Sequence, residues 1–238
     1  MTTLWIICII TLASLIKGIT GFGFALVALP PLLLWYAPSD IIPVIVICNF
    51  ISSTIIILQK KDLNLVPRKA RYMIATASVF TLFGVLILKH LTADSLTHSI
   101  SLIFITLTGL SFFRLKTSIK IPDFSYPVIG AIIGLLAGCT SVGGPPLAIF
   151  LNAAKVSNQQ FRVIFSWFNI ATASIAIIGY AIAGLITMES LHLVLLFTPV
   201  LFLGTFIGKK LNSKIPSLLF KKSTLVITLI SCIILLLK

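Results

Sequence analysis

Two short stretches of the sequence place hydroxyl groups, glycines and one amine inside apolar segments, in a combination that could bind a small anion. They are residues 17–23 (KGITGFG) and residues 138–146 (GCTSVGGPP). Glycine and paired proline interrupt helices and leave backbone N–H and C=O groups unpaired. Free N–H groups, hydroxyl donors and a lysine ammonium together suit an anion that is held weakly and released.

The segments around both stretches resemble lipid-crossing helices. Hydrophobic residues make up 58% of the chain and charged residues only 10%, and the mean hydropathy is +1.17. These values exclude an ordinary soluble domain and predict an all-α polytopic membrane protein in contact with membrane lipid. Unpaired backbone survives at membrane depth only where protein buries it or where it lines a wet cavity, so the two breaks indicate a transport site.

Six stretches are long and apolar enough to be full spans, namely 41–58, 72–88, 96–113, 163–183, 191–207 and 218–237. Before the first of them lie two shorter apolar pieces, 4–16 and 24–35, each only about 20 Å long as a helix. Neither piece alone matches a hydrocarbon core of roughly 30 Å. We therefore predict that they form one broken span or a re-entrant hairpin, interrupted at residues 17–23.

Basic residues are concentrated in four loops, which explains the net charge of +13 without any role in nucleic-acid binding. The loops are 60–71, 114–120, 152–162 and 209–222, and the positive-inside rule predicts that they are cytoplasmic. The connections near Asp40, Asp94 and Glu189 contain few basic residues and should lie outside. Because the loops on both sides of residues 125–154 are then cytoplasmic, that segment must enter and leave on one side, as a hairpin does.

The chain also repeats itself, which predicts two membrane repeats at 1–120 and 121–238 within one integral membrane domain. Each half contains a glycine-broken hairpin, a span bearing an asparagine (Asn49 or Asn169) and two further spans. Three full spans is an odd number, so the second repeat should be inverted relative to the first. Inverted repeats place a binding site between their helix breaks, near the middle of the bilayer.

The two breaks, with Pro30 downstream of the first and Arg162 and Asn169 downstream of the second, resemble the paired signatures of the TauE/SafE sulfite exporter family. This family is also called the toluene sulfonate uptake permeases. The resemblance implies a secondary transporter of the bacterial or archaeal inner membrane, coupled to an ion gradient and working by alternating access. Its substrates would be small sulfur-containing anions such as sulfite or sulfonates.

The candidate substrate-binding residues lie at the breaks and on the asparagine-bearing spans: Lys17, Thr20, Gly21, Phe22, Gly23, Asn49, Cys139, Thr140, Ser141, Gly143, Gly144, Pro145, Arg162 and Asn169. Several have a plainer explanation. Lys17 could extend to a membrane interface, and Arg162 could be an ordinary cytoplasmic anchor. The asparagines could bridge helices, and Gly18, Gly21, Gly134 and Gly138 could serve close helix packing.

No enzyme is predicted, because the histidines and the five acidic residues fall at loops or span ends and form no nucleophile–base pair or metal set. An anion channel is the alternative to a transporter, and a membrane-embedded enzyme is the weaker one. No cofactor is expected. The expected partners are a small anion and lipid, and assembly as a homo-oligomer is compatible with the sequence. The four isolated cysteines should be small buried hydrophobes.

Overall fold

A computed structural model describes residues 2–58, 66–112 and 122–211, together with Ile233, and these residues form helices joined by short connections. The helices are α1 (Thr2–Thr20), α2 (Phe24–Leu32), α3 (Pro38–Leu58), α4 (Arg68–His90), α5 (Ala93–Phe112), α6 (Ser125–Thr140), α7 (Gly144–Ala153), α8 (Asn158–Ala183) and α9 (Met188–Leu211). The described part of the chain is therefore all-helical, as its composition predicts.

The predicted spans coincide with helices wherever the structure describes them. The first five correspond to α3, α4, α5, α8 and α9, whereas the sixth, 218–237, lies outside the described residues except for Ile233. Within the described ranges, four helices are long and apolar enough to cross a membrane, at Pro38–Leu58, Arg68–His90, Val163–Ala183 and Met188–Gly208. Large apolar side chains of α4 and α9, such as Phe83 and Leu203, are exposed on the protein surface. Such a surface is stable against lipid, and the chain is an integral membrane protein.

Helix α1 is longer than the sequence predicts. It continues through Lys17 to Thr20, so its nineteen residues rise about 28 Å rather than the 20 Å expected for a helix ending at residue 16. The prediction that Lys17 stands in the break is wrong. Lysine is a good helix former, so α1 continues through it and ends only before Gly21 and Gly23, where φ is +83° and +93°.

The second break also differs in detail from its prediction. Helix α6 ends at Thr140, and α7 begins at Gly144 with Pro145 and Pro146 in its first turn. These prolines therefore start a helix rather than end one, because the first turn has no use for their missing N–H groups. The interruption is confined to residues 141–143, the same length as the interruption at residues 21–23.

Two helix pairs approach each other closely through glycine. Gly130, Gly134 and Gly138 of α6 lie against the backbone of α4, and a Cβ atom at any of them would collide with it. On the other side, Gly204 and Gly208 of α9 lie equally close to α1. Small residues permit such packing in membranes. The packing explanation of Gly134 and Gly138 is thus the one that the structure supports.

The centre of the bundle is the contact between α3 and α8, the two helices that carry Asn49 and Asn169. Helix α3 also contacts α9, and α8 also contacts α4. Helices from the two halves of the sequence therefore alternate across the core. The breaks after α1 and α6 are brought to the sides of this central pair.

The cysteine prediction is correct for two residues and wrong for a third. Cys48 and Cys139 are buried free thiols, whereas Cys8 is a free thiol on an exposed position of α1. Its exposed position is compatible with an apolar membrane helix, since a thiol is a weak hydrogen-bonding group. Cys232 lies outside the described residues.

Candidate functional site

A threonine closes each of the two helix breaks in the same way. Thr20 Oγ1 lies 2.8 Å from the carbonyl oxygen of Ile16 and accepts the Phe22 N–H at 3.2 Å. Thr140 Oγ1 repeats both contacts, at 2.7 Å to the carbonyl oxygen four residues before it and 3.2 Å from the N–H two residues after it. These hydroxyls satisfy backbone groups that the breaks leave without helical partners. They therefore hold the breaks in shape.

Ser141 has a different environment from the two threonines. It follows α6 with φ at +60°, a left-handed conformation that a non-glycine residue rarely adopts. Its side chain is 8% exposed, and Oγ has no hydrogen-bond partner in the described structure. A buried hydroxyl without a partner costs free energy, of the order of 1–3 kcal/mol. Such a group is a candidate ligand contact.

Lys17 is completely buried, with 0% exposure, so it does not extend to an interface. Its Nζ donates to the side-chain oxygen of Asn49 at 2.7 Å, the backbone oxygen of Asn49 at 3.0 Å and Ser53 Oγ at 3.0 Å. Three acceptors match the three N–H donors of an ammonium. All three acceptors are neutral, and Lys17 forms no ion pair with a carboxylate among the described residues. Among the described residues, neutral oxygens alone therefore contact this buried amine.

A small cavity of about 20 Å³ lies between α3, the second break and α8. This volume holds about one water molecule. Four predicted site residues line it, namely Asn49, Ser141, Gly143 and Asn169. Since the side-chain oxygen of Asn49 accepts a hydrogen bond from Lys17, the side-chain amide nitrogen of Asn49 is the group left for other contacts. The structure thus brings together both asparagines and the tip of the second break.

The first break contributes an aromatic contact to α8 instead of lining the cavity. Phe22 lies with its ring centroid 5.4 Å from that of Phe165 and 5.9 Å from that of Phe161. The two α8 rings stack on each other at 5.6 Å. Because Phe22 stands between Gly21 and Gly23, this contact fixes the tip of the first break on the helix that carries Asn169.

Of the other predicted residues, Cys139, Gly144 and Pro145 do not line the cavity. Gly144 and Pro145 form the start of α7, and Cys139 lies in the close contact between α6 and α4. Arg162 belongs to the second turn of α8, but its side chain is outside the described part of the structure, so its predicted role stays a prediction.

Sequence reasoning missed five further residues that line the cavity: Val46, Ala137, Thr172, Ala173 and Ala176. Most are small and apolar, and they carry no chemical signal of their own. A signal was nevertheless available, because Ala137 and Ala173 lie 120 residues after Lys17 and Ser53, as Asn169 lies 120 residues after Asn49. Comparing the halves position by position would have pointed to them.

Comparison with known protein families agrees with this geometry. The model of the family described as "Sulfite exporter TauE/SafE" matches residues 6–235, which is nearly the whole chain. The chain belongs to the TauE/SafE family. It is therefore a member of a membrane transporter family, and its resemblance to that family, inferred from the two breaks, is confirmed. Neither a curated protein nor a solved structure matches the chain.

Proposed function

We propose that this TauE/SafE family member is a secondary transporter of small sulfur-containing anions such as sulfite or sulfonates. The observation that carries the proposal is the cavity between the second break and the two asparagines, with a buried lysine behind one of them. Amide N–H groups, the Ser141 hydroxyl and the N-terminus of α7 can all contact anionic oxygens. The ammonium of Lys17, which lies behind the Asn49 side chain, would add electrostatic attraction for the anion.

The same proposal includes two inverted repeats that exchange access to this site. Its support is that contacts occur in matching pairs: α1 with α9 and α6 with α4, then α3 with α9 and α8 with α4. The counterparts of α1, α3 and α4 in the second half are α6, α8 and α9. Replacing every helix by its counterpart turns the α1–α9 contact into the α6–α4 contact, and the α3–α9 contact into the α8–α4 contact. A pseudo-twofold axis through the α3–α8 contact explains that pattern. The basic loops would face the cytoplasm of a bacterial or archaeal cell.

The size of the cavity bears on how the anion would bind. A volume for one water molecule is too small for a sulfur oxyanion with three oxygens. We therefore propose that the space between the breaks and α3–α8 must widen before the anion binds. Alternating access would open the space between the breaks and α3–α8 when substrate enters.

Flux measurements in liposomes test this function. The purified protein should take up labelled sulfite or a small sulfonate with a rate that saturates, and an imposed ion gradient should drive accumulation above the external concentration. Asn169→Ala should reduce the rate at least tenfold while the protein still folds. Current that follows voltage without saturation would identify the anion channel instead, and absence of flux for all sulfur anions would contradict the proposal.

A further inference from the structure

The two halves of the chain can be compared residue by residue at an offset of 120. Thr20 and Thr140 close the two breaks with the same contacts. Ser52 and Thr172 each donate to a carbonyl oxygen four residues before them, at 2.9 Å and 2.8 Å. Asn49 and Asn169 lie on the central helices at the same offset. The local structures thus agree well enough for differences between them to be informative.

The differences are concentrated at the lysine. In the first half, the Lys17 ammonium lies among Asn49 and Ser53. The counterparts of these three residues in the second half are Ala137, Asn169 and Ala173, and all three line the cavity. The cavity is therefore bounded by the counterparts of the residues that form the ammonium site. Two of these counterparts are alanines, Ala137 in place of Lys17 and Ala173 in place of Ser53.

Oxygen atoms are nevertheless retained around this space. Asn169 supplies a side-chain oxygen, and its amide forms no hydrogen bond within the described residues. Thr172 Oγ1 donates its hydrogen to Phe168 and keeps its lone pairs. Ser141, the counterpart of Gly21, adds the buried hydroxyl without a partner. The second half thus lacks the oxygen that Ser53 supplies in the first half. The hydroxyl of Ser141, in the second break, supplies an oxygen that the first break does not have.

We propose that this cavity, lined by Ser141, Asn169 and Thr172, binds a monovalent metal cation that couples ion and anion movement. The proposal deepens the proposed function, because a coupling ion has meaning only in a transporter. Its chemical precedent is inside the same molecule, where neutral oxygens hold the cationic end of Lys17 without a carboxylate. In transporters, neutral oxygens at interrupted helices coordinate sodium ions. The cavity volume suits a single water-sized ion, and the sulfur anion of the proposed function would bind beside that ion once the space between the breaks widens.

The position of Lys17 explains why cation and anion would bind together. Asn49 contacts the ammonium and also lines the cavity, so a bound cation and Lys17 repel each other. An anion that enters between the breaks offsets this repulsion. The bound cation then raises the affinity of the protein for the anion. By thermodynamic linkage, the bound anion raises the affinity for the cation by the same factor.

Thermal unfolding of the purified full-length protein tests the site without any anion substrate. The melting temperature is measured in NaCl, in KCl and in choline chloride at equal ionic strength. At a saturating concentration, NaCl or KCl should raise it by about 3 °C over choline chloride, since the ion binds only the folded state.

Two variants and one control locate the effect. Ser141→Gly removes the hydroxyl and suits a positive φ, and it should weaken ion binding at least tenfold. Ala137→Lys should supply an ammonium in place of the ion and abolish the response to NaCl and KCl. Ser101→Ala removes another buried hydroxyl without a described partner, on α5 away from the cavity, and should leave the response unchanged.

Two results would overturn the cation site. One is a wild-type melting temperature that is equal in all three salts. The other is a metal-ion response that Ser141→Gly and Ala137→Lys both retain. The proposed function fails separately: a protein that responds to NaCl in this way but transports no sulfur anion would keep the cation site and lose the assignment of its substrate.

Discussion

Lys17 is the residue around which the chemistry of the core is arranged. Its ammonium makes three hydrogen bonds to α3 and is fully buried. A charge in the centre of a membrane protein costs roughly 2.5 to 3.5 kcal/mol even on the lenient insertion scale. The chain tolerates this cost, and the contact with Asn49 fixes the amide that lines the cavity. We infer that Lys17 positions Asn49 and makes the site electropositive.

Replacing Lys17 with methionine should therefore impair anion transport. The variant keeps the length of the side chain but loses the charge and frees the Asn49 amide to rotate. We expect KM for the anion to rise at least tenfold, equivalent to about 1.4 kcal/mol of binding free energy, as measured by uptake into liposomes. Ser53→Ala removes one acceptor and keeps the charge, so its effect should be smaller. A folded Lys17→Met protein with an unchanged KM would contradict this role.

At the scale of elements, glycine determines how the helices pack. The contact between α4 and α6 is the most extensive one in the described part of the bundle, and it depends on the absence of side chains at Gly130, Gly134 and Gly138. Thr81 adds a hydrogen bond across it, from Oγ1 to the Gly134 backbone oxygen at 3.2 Å. The second break is thereby attached to a rigid pair of helices.

A larger residue at Gly134 should separate these helices. Gly134→Val places a Cβ atom against the backbone of Ala77, and we expect a loss of about 2 kcal/mol in stability, since backbone cannot move aside as a side chain can. Thermal unfolding in detergent measures this loss. Gly109→Ala is the matched control, because a Cβ atom there meets nothing within 4 Å, and it should be neutral or slightly stabilising. Equal melting temperatures for the two variants would disprove the packing argument.

The whole molecule has an orientation that the loops predict. Lys69 lies at the start of α4, where it pairs with Asp123 at 3.4 Å ahead of α6, and both belong to regions expected in the cytoplasm. Glu189 lies at the start of α9, in a connection expected outside. The positive-inside rule makes these assignments from the numbers of basic residues.

Cysteine labelling tests this orientation. In a variant without native cysteines, Glu189→Cys should react with a membrane-impermeant maleimide on intact cells. Lys69→Cys should react only after the membrane is permeabilised, because its side chain is exposed and its loop is expected in the cytoplasm. Labelling of both in intact cells, or the reverse pattern, would refute the proposed topology.

The sequence predicted helix positions well because long apolar runs have few alternatives in a membrane. It placed both breaks correctly to within a few residues, since clusters of glycine and proline are local features of the sequence. It failed at the end of α1, because the acceptors of Lys17 lie on α3, more than thirty residues away in the chain. The contacts of a buried amine are set by tertiary structure, and the sequence pattern does not show them.

The candidate site was predicted in part for the same reason. Asn49, Ser141 and Asn169 stood out because polar side chains are rare in such spans, and all three line the cavity. Thr20 and Thr140 also stood out, but the backbone of each break takes up their hydroxyls. Ala137 and Ala173 have no polar group, so only their correspondence to Lys17 and Ser53 in the first half could have marked them from the sequence.

The pairing of α1 with α9 and of α4 with α6 means that the first helix of each half is held by the other half. A single half expressed alone would lack the partner of its own first helix, so we expect neither half to fold by itself. Rigid bodies within the protein would then not correspond to the two halves of the sequence. If two rigid bodies move past each other, one contains α1 and α9 and the other contains α4 and α6, so each body combines helices from both halves of the sequence.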